Sequence, residues 1–383
     1  MCCVALKRSG ENPRQGLRLP RSTTLRLLHL LLLTLASMLF LFALLAVFRA
    51  PTNFAWKLAI VATEWGYHIA PAGLVFFFGW NHGRLLRIAA LLGVASTVLL
   101  LSPLVRAARL GELEVMALLR GREVVQTTPM RLHNRIGQRD SLPIDFYRAK
   151  PTAGRAPLVI VIHGGSWRAG QPGDLAGLNH MLVQQGYAIA AITYRFAPAN
   201  QHPVQLRDVY SAIAYLRSNA ATLGFNDDMI ALIGRSAGGH LALLAAYQRP
   251  NPAIKGVVSL YGPTDLAWGY ANPGPRLVID TRGILEDFTG GTPSAVPATY
   301  QQASPLTFSA NAPPTLLIHG KRDELVNVRH SRRLADALRS AGKEVVYLEL
   351  PWATHGCDYF LSGPCGQLTT HAIQAFLARV TAR

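Results

Sequence analysis

Gly234-Arg235-Ser236-Ala237-Gly238, followed by Gly239, sets a serine among small residues. Such a run lets a chain turn sharply from a strand into a helix and lifts the serine hydroxyl clear of the sheet. Glycine and serine also gather in ordinary turns, so the run says little by itself. Its flanks say more: the apolar stretch MIALI at 229–233 precedes it, and a helical stretch at 237–248 follows. A serine hydroxyl is a weak nucleophile without a base, and the base needs an acid to orient it. In this layout the acid and then the histidine follow the serine along the chain. Asp323 lies in His319-Gly320-Lys321-Arg322-Asp323-Glu324, just after the apolar TLLI at 315–318, with Glu324 as its neighbour and rival. His355 lies in Ala353-Thr354-His355-Gly356, just after VVYLEL at 345–350. His330 and His371 compete for the base, but both fall on helical stretches, where surface positions are expected. Ser236, Asp323 and His355 are therefore the expected nucleophile, orienting acid and general base.

Acyl transfer on such a serine builds negative charge on the carbonyl oxygen, and backbone N–H groups aimed there stabilise it. His163-Gly164-Gly165-Ser166-Trp167 follows the apolar LVIVI at 158–162 and can bring backbone close to that oxygen. Gly165 and Ser166, with Ala237 after the nucleophile, are the expected donors. His163 is expected to pin this loop rather than to react. Arg235 would bring positive charge near the turn, although a solvent-facing side chain is the expectation.

These residues need a scaffold that places several loops on one edge. Leu158–Ile162, Ala188–Tyr194, Met229–Ile233, Ile254–Tyr261, Thr315–Ile318 and Val345–Leu350 read as strands whose continuous apolar character suits burial on both faces. Helical stretches at 174–185, 204–222, 237–248, 330–341 and 368–381 alternate with them; in the second, Val204, Val209, Ile213 and Leu216 form an apolar stripe. The alternation predicts a doubly wound α/β sandwich with a mostly parallel sheet, its reactive loops at the carboxyl ends of the strands. Residues 122–149 can supply a leading antiparallel pair. Residues 262–312, rich in Pro and Gly, break the rhythm and are expected to form a lid.

The formal charge of +17 does not signal nucleic acid. Residues 1–110 hold 12 of the 38 basic side chains but only Glu11 and Glu64 among the acids, so most of the excess flanks apolar runs. Residues 27–48 supply the roughly 20 apolar residues that cross a bilayer as a helix, and 85–105 are similar. Residues 57–80 are apolar at both ends with Glu64, His68 and Pro71 between; the short connections favour a third span. The chain thus divides into a basic leader at 1–26, a transmembrane all-α region at 27–110 and a catalytic domain at 111–383. With the leader in the cytoplasm, three spans put the catalytic domain on the far side of the membrane, and two would put it inside. The four cysteines form no metal pattern; Cys357 and Cys365 can pair or remain free thiols.

From about residue 140 onward the chain resembles the esterase/lipase branch of the α/β-hydrolase superfamily. More narrowly, it resembles the bacterial BD-FAE-like group, near the hormone-sensitive-lipase and kynurenine-formamidase families. The resemblance rests on HGGSW at 163–167, Tyr194-Arg195-Phe196-Ala197-Pro198, and His202-Pro203 leading to Asp208. It continues through GRSAGGH at 234–240, HGKRDELV at 319–326 and THG at 354–356. It implies hydrolysis of a small-molecule, glycan-linked or lipid-linked carboxylic ester through an acyl-enzyme, with neither metal nor organic cofactor. The same triad serves amide hydrolases of arylformamidase or peptidase type, and a binding protein could retain the fold without the reaction. The expected setting is a bacterial inner membrane with the catalytic domain on the periplasmic side.

Overall fold

The computed structural model describes residues 21–136, 140–150 and 154–382; most of the expected basic leader, residues 1–20, lies outside them. Eight strands form one sheet: β1 (Met130–Ile136), β2 (Asp140–Tyr147), β3 (Ala156–Ile162), β4 (Ala188–Ile192), β5 (Phe225–Arg235), β6 (Ile254–Leu260), β7 (Thr315–Gly320) and β8 (Val345–Leu350). Their order is β1-β2-β4-β3-β5-β6-β7-β8. The first two are the expected antiparallel pair, β2 runs antiparallel to β4, and every other pairing is parallel. Leu158, Ile160 and Ile162 of β3 enter one core layer while Val159 and Val161 enter the other. That two-sided burial is why the strand reads as an unbroken apolar run.

Helices over Gly177–Gln184, Val204–Ser218, Ala237–Gln248, Arg329–Ser340 and Pro364–Val380 cover the faces, within a few residues of expectation. Residues 262–312 are more regular than their Pro and Gly content suggests. They contain short helices at Leu266–Ala271, Thr281–Thr289 and Pro297–Gln302, the first two capped by the Asp265 and Asp280 side chains.

The N-terminal part corrects the expected middle span. Helix α1 (Arg21–Leu44) and helix α4 (Arg84–Ala108) are the two described helices long and apolar enough to cross a membrane. Between them, residues 57–80 do not form one rod. The chain breaks at Trp65 into α2 (Asn53–Glu64) and α3 (Gly66–Val75), the latter running into a 3₁₀ turn at Phe76–Gly79. Helix α2 lies against the α/β layer, and Glu64, buried at its end, accepts a hydrogen bond from the Cys365 N–H at 2.8 Å. The acid is consumed by tertiary structure, not carried into an apolar span.

Helix α3 runs antiparallel to α4. Gly66 faces Leu100, Thr97 Oγ1 donates to the Ala70 carbonyl at 2.8 Å, and Gly73 meets Gly93. A Cβ on either glycine would collide with the other's carbonyl oxygen, so the absence of side chains sets this approach. Helices α1 and α4 both end beside the α/β layer. The carbonyls of Leu45 and Phe48 accept from the Arg322 guanidinium, and Gly111 abuts Leu368.

Replacing Gly93 with leucine is therefore expected to part α3 from α4 and lower the thermal unfolding midpoint of the full chain in detergent. Leu91→Ala, on the exposed face of α4, serves as the control. Equal midpoints for the two variants would show that the helix crossing does not depend on the glycine pair.

Candidate active site

Ser236 sits between β5 and the helix Ala237–Gln248 with φ 53° and ψ −120°, outside the usual range for a residue with a side chain. Its backbone N–H is held by the Leu260 carbonyl at 2.9 Å, and its carbonyl accepts from His240 at 3.0 Å. The flanking glycines make the turn feasible. A Cβ on Gly234 would strike the Gly238 backbone, and one on Gly238 would strike the carbonyls of Ile162 and His163. The strained serine is thus braced by close backbone packing on both sides.

The structure brings the expected triad together from three loops at the carboxyl edge of the sheet. His355 Nε2 lies 3.0 Å from Ser236 Oγ, and His355 Nδ1 lies 2.7 Å from Asp323 Oδ2. The other Asp323 oxygen accepts the N–H groups of Leu325 and Val326, each at 2.8 Å, which fixes the carboxylate plane. Burial opposes ionisation of Asp323, but His355 and His319 beside it prevail and hold its pKa below the ordinary carboxylate range. His319 is itself fixed by Ser331 Oγ at 2.7 Å and the Val326 carbonyl at 2.9 Å.

Glu324, the rival acid, faces elsewhere. It accepts the Ala50 N–H at 2.8 Å and the Thr354 hydroxyl, and burial raises its pKa. His371 is exposed on its helix, as expected, but His330 is not a surface residue. It is buried, its Nδ1 is approached by the Thr264 N–H at 3.2 Å, and it lines the pocket in front of Ser236. Its ring is held neutral, burial lowering the pKa to about 3. A helical stretch carries no sign that a distant segment, here 264–269, will cover it.

The His163 loop behaves as expected. His163 Nδ1 meets its own loop at the Gly164 carbonyl, 2.7 Å away, and Nε2 meets Thr193 Oγ1 at 2.9 Å. Gly165 turns with φ 107°, Ser166 and Trp167 follow with φ 55° and 57°, and Gly164 leans on the Ser236 elbow. Ser166 and Ala237 line the same pocket as Ser236; Gly165 lies one residue behind this wall. The Trp167 indole N–H donates to His240 Nδ1 at 3.3 Å, and His240 Nε2 meets the Ala303 carbonyl at 2.6 Å. That pattern requires a neutral ring, and burial lowers the His240 pKa to about 3.

Arg235 corrects another expectation. It is 5% exposed and paired with Asp358, which also accepts the Tyr261 hydroxyl. The positive charge next to Ser236 is neutralised by this pair rather than presented to solvent. What it does is join the serine turn to the histidine loop, because Asp358 lies three residues beyond His355. Tyr261 packs on the His355 ring with centroids 4.4 Å apart, and Cys357 is disulfide-bonded to Cys365. From the N-terminal side, the Trp56 indole donates to the His355 carbonyl at 3.0 Å. None of Trp56, Tyr261 or Asp358 stands in a recognisable motif; their partners are distant in sequence.

An apolar pocket opens beside Ser236, walled by Trp167, Leu266, Ile279, Leu285, Leu325 and Val326. Its composition suits a small apolar organic group beside Ser236.

The sheet order and the three loops define the α/β-hydrolase esterase fold. Among solved structures, the hyperthermophilic esterase from the archaeon Pyrobaculum calidifontis superimposes with TM-score 0.59 at 22% identity, covering 73% of this chain and 91% of that one. The chain belongs to the BD-FAE family, which it matches over residues 144–338. Its relatives in Mycobacterium tuberculosis include the probable carboxylic ester hydrolase LipM, 34% identical over 60% of this chain and 56% of the relative. Esterase LipC is 35% identical over 62% of each. The chain therefore spans about three-fifths of the length of these relatives.

Two outcomes follow from the buried charges. Asp358→Asn strands the Arg235 guanidinium and is expected to cost about 3–5 kcal/mol of stability, whereas the double change to Arg235→Met and Asp358→Leu costs less. Denaturant unfolding of the full chain in detergent measures both, and a double variant as unstable as the single one would refute the stranded charge. The His240 imidazole has its ordinary pKa of 6.5 in the unfolded chain, and burial lowers it to about 3 in the folded one. Its contribution is complete above pH 6.5 and is lost as pH falls toward 3, because the unfolded state takes the proton first. Wild-type stability should fall about 1.4 kcal/mol per pH unit more steeply than that of His240→Gln across that window. Parallel pH curves would contradict this.

Proposed function

We propose that the chain is a membrane-anchored serine hydrolase that cleaves carboxylic esters through an acyl-enzyme on Ser236. The observation that carries this is the continuous hydrogen-bonded line from Asp323 through His355 to Ser236 at the edge of an apolar pocket. The relatives named as esterases and as a carboxylic ester hydrolase support an ester over an amide.

With Nδ1–H donated to Asp323, His355 presents Nε2 as the acceptor for the Ser236 proton. As Oγ attacks the ester carbon, the proton passes to Nε2, and the ionised Asp323 stabilises the resulting imidazolium. Backbone N–H groups of Gly165, Ser166 and Ala237 hold the oxyanion, a role worth roughly 3–4 kcal/mol per donor in a measured case. The imidazolium returns its proton to the leaving alkoxide, releasing the alcohol. Water then attacks the acyl-enzyme, giving one proton to His355 and its oxygen to the acid product. Collapse releases the carboxylic acid and returns the proton to Ser236.

In this reading residues 111–383 form the catalytic domain, 262–312 cap its pocket and 27–110 anchor it. Helix α1 starts far from the α/β layer and ends against it, so a bilayer crossed by α1 separates the leader from the catalytic domain. The side then follows from α1 alone, whatever the short α3 does. A basic leader retained in the cytoplasm puts the catalytic domain on the outer, periplasmic face. The substrate is an acyl ester of a small alcohol, a glycan or a lipid.

The test uses the full chain in detergent with p-nitrophenyl acetate, butyrate and octanoate. Ser236→Ala should lower turnover by roughly 10⁴-fold or more and abolish fluorophosphonate labelling, while Asp323→Asn should lower turnover by about 10⁴-fold. Undiminished hydrolysis by pure Ser236→Ala would remove the nucleophile from consideration.

A further inference from the structure

We propose that the pocket draws its substrate from a lipid bilayer, the scissile ester being carried by an amphiphile whose apolar chain remains in the membrane. The inference rests on the serine-hydrolase and anchor assignments above and names the substrate class of that same site.

Residues 45–56, the link from α1 and the first turn of α2, run along the rim of the active site. The Arg322 guanidinium holds the carbonyls of Leu45 and Phe48, Glu324 holds the Ala50 N–H, and the Trp56 indole holds the His355 carbonyl. The exit of the apolar helix α1 is thereby fixed beside both the acid and the histidine of the triad.

The same segment holds the pocket wall. Asn272, Gly274 and Ile279 line the pocket. Between them the chain swings outward, and the Leu277 and Val278 carbonyls accept from the Asn53 N–H and side-chain amide, both at 3.0 Å. Leu277 is left 75% exposed, next to Phe54 at 71%, with Phe48 at 62% on the same segment. Exposed apolar side chains on two segments joined through Asn53, with Phe48 a few residues before them, mark an interaction surface.

The occupant follows from continuity. This patch prolongs the apolar surface of α1, whose outward leucines Leu35 and Leu41 are about half or more exposed. Trp65 and Tyr67 flank the start of α3, where Gly66 packs on Leu100 near the end of α4, and amphipathic rings of this kind collect at the membrane–water boundary. Arg49, Arg106 and Arg109 lie at that end of the helices as well. The boundary of the bilayer thus meets the pocket rim at 272–279. An amphiphile rising from the outer leaflet brings its ester to Ser236 while its chain stays among Phe48, Phe54 and Leu277.

The test compares one water-soluble ester with one bilayer-dissolved ester on the same preparation. The full chain is reconstituted in phosphatidylcholine vesicles and given p-nitrophenyl acetate in the buffer or p-nitrophenyl palmitate in the bilayer. Leu277→Asp and Phe54→Asp put charge into the patch without touching the pocket lining. Each should lower palmitate turnover by about tenfold or more, the scale of withdrawing one large apolar side chain from an apolar phase, and leave acetate turnover within about twofold. Leu277→Asn and Phe54→Asn should give smaller losses in the same direction. Fluorophosphonate labelling of each variant reports an intact site. Palmitate turnover unchanged in both Asp variants, or reduced only in parallel with acetate, overturns the proposal. Wild type that turns over neither ester and resists the fluorophosphonate overturns the hydrolase assignment instead, and this inference with it.

Discussion

An imidazole must be held between two oxygens that belong to different loops, and much of the molecule can be understood as the means of doing so. His355 spans from Asp323 to Ser236 with hydrogen bonds of 2.7 and 3.0 Å, and neither partner lies within thirty residues of it. Displacement by about an ångström costs such a site on the order of a hundredfold in rate. Each loop is therefore clamped separately. Glycines 234 and 238 let backbone pack against the serine turn, two N–H groups fix Asp323, and the histidine loop is held by Asp358, a disulfide and Trp56. The parallel sheet contributes by ending β5, β7 and β8 on one edge, so that none of these loops has to travel far.

What the sequence disclosed was local in origin. The serine turn, the acid and the histidine each follow an apolar strand by a few residues, and strand burial on both faces leaves a direct composition signal. The choice between Asp323 and Glu324 was also within reach, because an aspartate can accept backbone N–H groups two and three residues ahead, as Asp323 does from Leu325 and Val326. What escaped depends on distant contacts. Arg235 reads as a surface arginine until Asp358, over a hundred residues later, is found beside it. His330 reads as exposed until Thr264 and Gly269 are laid across it. The break at Trp65 escaped because hydropathy averages over the junction, while α2 turns aside to meet the last helix through Glu64.

The family match covers 144–338, yet several contacts that shape the site reach beyond it. His355 itself lies past that end, as do Asp358 and the disulfide. At the other end Ala50, Asn53 and Trp56 touch the acid loop, the cap and the histidine loop. Residues on both sides of the family match thus join those within it in holding these loops. The segment from Ala50 to Trp56 helps to hold the loops of Asp323 and His355 although it lies far outside that match.

The segment from Leu45 to Trp56 also has a meaning for how the molecule is made. A ribosome delivers it some 270 residues before Glu324 and 300 before His355, so it waits unpartnered while the sheet is synthesised. When the last loops arrive, they close onto a chain end already fixed by α1. Assembly is then ordered by the chain itself: α1 and its exit are made first, and the loops carrying Asp323 and His355 close onto them last.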